Sequence, residues 1–158
     1  MDNKITIVTT FFNPGKYFDN CLSSVLNQKY DNFNWCITDD GSTDGTFEKI
    51  PNDKRIIKIK NKERAGDALP NLHNMYLNYC DPESITVCLD GDDFLVNKHV
   101  LSYTNDFYNE YNCMMMYGQC RWYNPEERFK RFEEKGLAYP ITEDMFKELR
   151  NGLSWPFS

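Results

Sequence analysis

Trp35-Cys36-Ile37-Thr38-Asp39-Asp40-Gly41-Ser42-Thr43-Asp44-Gly45-Thr46 begins as an apolar run and breaks into acids, a turn and hydroxyls. The same change recurs where Ile85-Thr86-Val87-Cys88-Leu89 runs into Asp90-Gly91-Asp92-Asp93. Short β-branched runs bounded by Gly, Ser and Asp read as strands that end in loops. Carboxylates packed this closely raise one another's pKa unless a cation or a donor-rich ligand compensates them. Both loops therefore read as binding loops.

Working outward, residues 5–11 form a first strand, broken by Asn13-Pro14-Gly15. Phe18, Cys21, Leu22, Val25 and Leu26 then recur at helical spacing over residues 17–28. The acidic loop leads to a short helix over 43–50, stopped by Pro51, and a third strand over 55–59. Asp67 is an N-cap, and Leu69, Leu72, His73, Tyr76 and Tyr79 mark the inner face of the helix after it. His73 on that face reads as a packed core histidine rather than a ligand, and His99 as incidental. Val100, Leu101, Thr104, Phe107, Tyr108 and Tyr111 outline another helix, and residues 113–117 a fifth strand. Beyond Tyr123 the sequence is charged and turn-rich, and Arg128, Lys130 and Arg131 among glutamates read as a solvated run.

Strands alternating with helices predict an α/β fold, a mostly parallel central sheet flanked by helices. In such sheets ligands bind outside the carboxyl ends of the strands. Asn13, Asp39-Asp40 and Asp90 to Asp93 each follow a strand, so the topology is expected to gather them on one edge.

A chain of 158 residues with 41% hydrophobic content is long enough for one domain with a real core. Its net charge of −6 argues against nucleic-acid binding. The six cysteines form no C-x-x-C pair, and Cys21, Cys36, Cys88 and Cys113 lie in apolar segments, which suits reduced thiols and a cytoplasmic chain. No signal peptide or stretch of membrane-spanning length is seen, so no membrane segment is expected.

Two readings of single loops match only part of their pattern. From Asp40 the first loop imitates an EF-hand, but its twelfth position is Pro51 rather than a bidentate Glu. The second loop imitates the Asp-x-Asp of dehalogenase-type phosphatases, yet Asp93-Phe94 follows where Gly-Thr or Gly-Val is needed.

Taken in order, four motifs resemble family-2 glycosyltransferases: Val8 to Asn13, Ser23 to Tyr30, Thr38 to Thr46, and Leu89 to Asp93. The resemblance covers roughly residues 4–117. It implies a GT-A fold with a Rossmann-like nucleotide-binding half, and inverting transfer from a nucleotide sugar, a UDP-sugar being expected. It also implies that Thr10, Phe12 and Asn13 line the base, with Phe12 stacking on a uracil-like ring. Asp39 and Asp40 would accept hydrogen bonds from base and ribose. Asp90 and Asp92 would be the D-x-D pair, with Asp92 the direct ligand of a Mn²⁺ or Mg²⁺ ion on the diphosphate and Asp93 in support. The acceptor, whether glycan, protein or lipid, is not legible.

The family pattern is departed from twice. Gly66-Asp67-Ala68-Leu69-Pro70-Asn71 lacks the Arg that many members direct at the donor, which leaves Lys62 or Arg64 as substitutes. The family's catalytic base lies well downstream of the D-x-D, and Asp144 of Glu143-Asp144 is the candidate here. The expected organisation is one domain, with a nucleotide-sugar-binding core over 1–117 and an incomplete acceptor-side region over 118–158. The alternative to transfer is a nucleotide-sugar-binding domain without transferase activity, and behind it a dehalogenase-like phosphatase.

Overall fold

The computed structural model describes residues 1–111, 113–117 and 139–141. Among these residues ten elements follow in chain order, with the alternation expected of an α/β fold. The strands β1 (Ile5–Phe11), β2 (Phe33–Asp39), β3 (Ile56–Lys60) and β4 (Ile85–Cys88) build one sheet. The helices α1 (Tyr17–Leu26), α2 (Ala68–Asn78) and α3 (Val100–Tyr111) accompany them, and the expected short helix is a single 3-10 turn, Phe47–Lys49. The sheet order is β3-β2-β1-β4, with every pair parallel. Ile5 is in register with Phe33 on one side and with Ile85 on the other, so the three strands start level.

The molecule divides into two compact units, Met1–Asp106 and Phe107–Ser158. In the second, β5 (Met115–Tyr117) pairs antiparallel with β6 (Tyr139–Ile141), and the Phe107 and Tyr111 rings lie 4.6 Å apart along the helix.

Within the first unit, strand alternation sends side chains to opposite faces of the sheet. Ile5, Ile7, Phe11, Trp35 and Ile37 meet Phe18, Cys21 and Val25 of α1 and Leu101 of α3 on one face. Trp35 is fully buried there, and its indole N–H donates to Thr9 Oγ1 at 2.8 Å, which removes the cost of burying an unpaired donor. On the other face Val8 and Cys36 pack against Met75 of α2.

The inner face of α2 is only in part the one that the apolar spacing predicts. Leu72 packs half-buried against Val8, Cys36 and Met75 as expected, but Asn71 and Met75 are the buried residues, and Leu69, His73, Tyr76 and Tyr79 are exposed. The helix does start at its predicted cap, with Asp67 accepting from the Leu69 amide at 2.9 Å. Its rotation then follows Asn71, whose Oδ1 accepts from Asn61 Nδ2 at 2.8 Å. A buried polar contact thus overrides the apolar stripe, and His73 is a surface residue rather than a core one. Cys88 differs likewise: it ends edge strand β4 and is exposed, while Cys21, Cys36 and Cys113 are buried. No helix among the described residues is long and apolar enough to cross a membrane.

Candidate functional site

At the carboxyl edge of the sheet the strand ends are tied together through main chain. The amide of Asp40 donates to Phe11 O at 2.9 Å, that of Leu89 to Val8 O at 3.0 Å, and that of Gly91 to Thr10 O at 3.1 Å. The loops after β1, β2 and β4 therefore share one edge.

Packing settles which phenylalanine faces out. Phe11 turns into the core, 4.8 Å from the Phe18 ring, and Gly91 packs so close that an added Cβ would lie 2.5 Å from Phe11 Cβ. Phe12 is 38% exposed, which leaves a ring at the surface beside the loops. Thr10 is buried at the end of its strand.

The first acidic loop is consumed by its own architecture. Asn13, held at φ 49°, accepts from the Thr43 amide at 2.8 Å through Oδ1, while its own amide donates to Ser42 Oγ at 2.9 Å. Asp44 accepts from the Gly15 amide at 3.0 Å and from the Thr46 amide at 3.0 Å. These bonds strap the β1 loop to the β2 loop. Asn13 does not cap α1, whose N-cap is Lys16 without a side-chain bond.

Asp39 has no exposed surface, and its Oδ1 accepts from the Ser42 amide at 2.7 Å. Its Oδ2 has no hydrogen-bond partner among the described residues, and Lys60 Nζ stands 3.9 Å away. Asp40 is also buried, with Oδ1 accepting from Asn61 Nδ2 at 2.8 Å and the Ala65 amide at 2.9 Å, and Oδ2 from the Gly66 amide at 3.0 Å. Burial alone would raise its pKa, but the Ala65 amide, Asn71, Asn61 and the Gly66 amide outweigh it and hold the carboxyl below the usual range. Arg64 stands over this corner, its guanidinium 3.7 Å from the Phe12 ring centre and its Nε 3.9 Å from Asp40 Oδ2.

The second acidic loop is the opposite case. Asp90, Asp92 and Asp93 are exposed, and among the described residues no hydrogen bond or ion pair reaches their carboxylates. Partial desolvation at the strand end first, then the charges of Asp93 and Asp92, push the Asp90 carboxyl above its usual range. Asp92 lines a cavity of about 300 Å³ with Phe11, Phe12, Asn13, Pro14 and Tyr17. Uncompensated oxygen ligands beside a cavity are the donor set that a hard divalent cation takes. Among the described residues no group of three or more His, Cys, Asp or Glu is arranged around a single point, so any ion here has open positions for ligand oxygens or water.

The structure thus gathers Thr10, Phe12, Asn13, Asp39, Asp40, Asp90 and Asp92 at one edge, but with unequal access. Asp39 is sealed and shapes its loop, Asp40 lies at the floor, and Asp90 and Asp92 face out. Asn61 and Asn71, which the sequence reading did not single out, orient Asp40; an amide pair of that kind carries no spacing signal. Asp144 lies outside the described residues.

Residues 6–156 match the model of the family described as Glycosyl transferase family 2. GlyG, a glycosyltransferase of Streptococcus pneumoniae serotype 4, is 26% identical over 166 residues, covering 100% of this chain and 53% of GlyG. The teichoic acid poly(glycerol phosphate) polymerase of Staphylococcus epidermidis is 32% identical over 112 residues, which cover 68% of this chain and 15% of the polymerase. The chain therefore spans about half the length of GlyG and less of the polymerase. Among solved structures, S. aureus TarS 1-349 in complex with UDP-GlcNAc superposes with a TM-score of 0.60 at 26% identity, over 69% of this chain and 32% of that one. The mannosyltransferase PcManGT from Pyrobaculum calidifontis shares the fold at the same TM-score of 0.60 and 20% identity, over 72% of this chain and 34% of that one. The parallel sheet and flanking helices are GT-A-like, and this chain belongs to glycosyl transferase family 2.

Proposed function

We propose that this chain takes part in inverting transfer of a sugar from a nucleotide-sugar donor, a UDP-sugar, with a divalent Mn²⁺ or Mg²⁺ ion at Asp92 and Asp90. The observation that carries this reading is the contrast between the two loops. The acids after β2 are buried and accept from loop amides, while those after β4 are exposed and, among the described residues, no hydrogen bond or ion pair reaches their carboxylates beside a cavity that Phe12 and Asn13 also line. The likeness to TarS in its complex with UDP-GlcNAc supports the choice of donor.

In this reading Phe12 offers its ring to the base, and Asp40 offers the edge acceptor. Asp39 contributes by fixing the turn through Ser42 rather than by contact, because it is sealed from solvent. Thr10 closes the wall, and Asn13 holds the neighbouring loop. Asp90 and Asp92 offer the oxygen ligands, with Asp93 beside them. A bound divalent ion supplies Lewis-acid stabilisation of charge developing on the diphosphate leaving group. It also reconciles an anionic donor with a chain of net charge −6. The general base falls to Asp144, and the acceptor is a hydroxyl of unspecified class.

Calorimetric titration of UDP with and without Mn²⁺, beside an assay of UDP release from UDP-GlcNAc, tests the reading. Metal-dependent UDP binding with turnover supports transfer. Metal-dependent binding without turnover assigns donor binding alone. UDP binding that is indifferent to Mn²⁺ and to Asp92→Asn overturns the metal site.

A further inference from the structure

Arg64 stands where an incoming base would go. Its guanidinium lies 3.7 Å from the centre of the Phe12 ring, which is van der Waals contact and leaves no room for a second planar group on that face. Its Nε is 3.9 Å from Asp40 Oδ2. A guanidinium is flat and carries N–H donors along its edge. A nucleobase with a ring N–H presents the same combination, a plane for Phe12 and a donor for Asp40.

We propose that Arg64 is the resident occupant of the nucleobase seat, a side-chain gate that the base must displace; this rests on the donor site proposed above. The backbone around it favours movement of the side chain alone. The amides of Ala65 and Gly66, the next two residues, are fixed on Asp40 at 2.9 and 3.0 Å, which pins the main chain beside Arg64. The side chain itself is 55% exposed, so little besides the ring and the carboxylate holds it. Contacts of that kind are weak enough for a base to outcompete. Their removal is expected to tighten binding of a bare nucleoside about three- to tenfold.

The nucleoside is the informative probe, because it has no phosphate to interact with the arginine charge or a metal. UDP and GDP are titrated first, and the nucleoside of whichever binds is then compared in wild type, Arg64→Ala, Arg64→Gln and Phe12→Ala. The gate predicts tighter nucleoside binding by both Arg64 variants and at least about tenfold weaker binding by Phe12→Ala. It also predicts that the wild-type Arg64 Nε–H resonance, shifted upfield by the Phe12 ring, returns towards its free value on saturation with the diphosphate. Nucleoside binding that is unchanged or weaker in both Arg64 variants, or a resonance that stays put at saturation, overturns the gate while leaving the donor site standing. Loss of neither UDP nor GDP binding in Phe12→Ala, or binding of neither by wild type and Arg64→Ala alike, overturns gate and donor site together.

Discussion

Gly91 is held to glycine by its neighbour rather than by its own backbone. A Cβ there would meet Phe11 Cβ at 2.5 Å, and Phe11 cannot retreat because it packs on Phe18. Gly91→Ala is therefore expected to cost about 1–3 kcal/mol, read as a lower denaturant midpoint at an unchanged m-value. Asp40 makes the complementary case for a charge. Its pKa is lowered on folding, so its stabilisation is complete above the unfolded-state value near pH 4 and lost as pH falls through the depressed folded value. Urea midpoints should be level above about pH 5, fall below about pH 4, and fall less steeply in Asp40→Asn. These roles were only half legible in the sequence. Acids after β2 announced a strand-end loop, but the amides that consume them belong to Ser42, Ala65 and Gly66, and no spacing rule joins residues 40 and 65. Likewise alternation required one of Phe11 and Phe12 to point inward, and only the packing against Gly91 and Phe18 says which.

At the scale of elements, α2 shows how a good cap and a misleading stripe coexist. Asp67→Ala should cost about 1 kcal/mol, because the Leu69 amide loses its acceptor, and the loss should appear in thermal midpoints. The helix boundaries were readable because capping is a local interaction. Its rotation was not, because Asn71 answers to Asn61 and Asp40 in the loops after β3 and β2 as well as to Asp67 one turn back. The strands were readable for the opposite reason. β1 and β2 are almost wholly buried, so composition alone marks them. The second acidic loop gives the sharpest functional test at this scale. With Mn²⁺ present, Asp92→Asn should weaken UDP binding at least about tenfold, towards the metal-free value, while leaving the thermal midpoint without metal unchanged or higher.

Across the whole molecule, the two sheet faces predict a pattern of thiol chemistry. Burial first, with the acids of the second loop adding, pushes the Cys21 thiol up to about 12. Burial does the same for Cys36, to about 12. Neither forms thiolate at pH 8, whereas Cys88 is exposed on the edge strand. Peptide mapping after brief alkylation should find Cys88 modified and Cys21 and Cys36 intact, the latter two reacting only at the rate of unfolding. The parallel order β3-β2-β1-β4 has a further consequence in time. Of the four strands in this sheet β1 is made before the others, yet it lies between two partners, and its second edge waits until Ile85–Cys88 has been synthesised. Nothing local can close that interval, because parallel partners need a crossover, and here α1, β2, β3 and α2 all intervene. A nascent chain halted after β3 would carry a bare apolar strand edge, which is the form of an unfinished protein that chaperones hold and aggregates recruit.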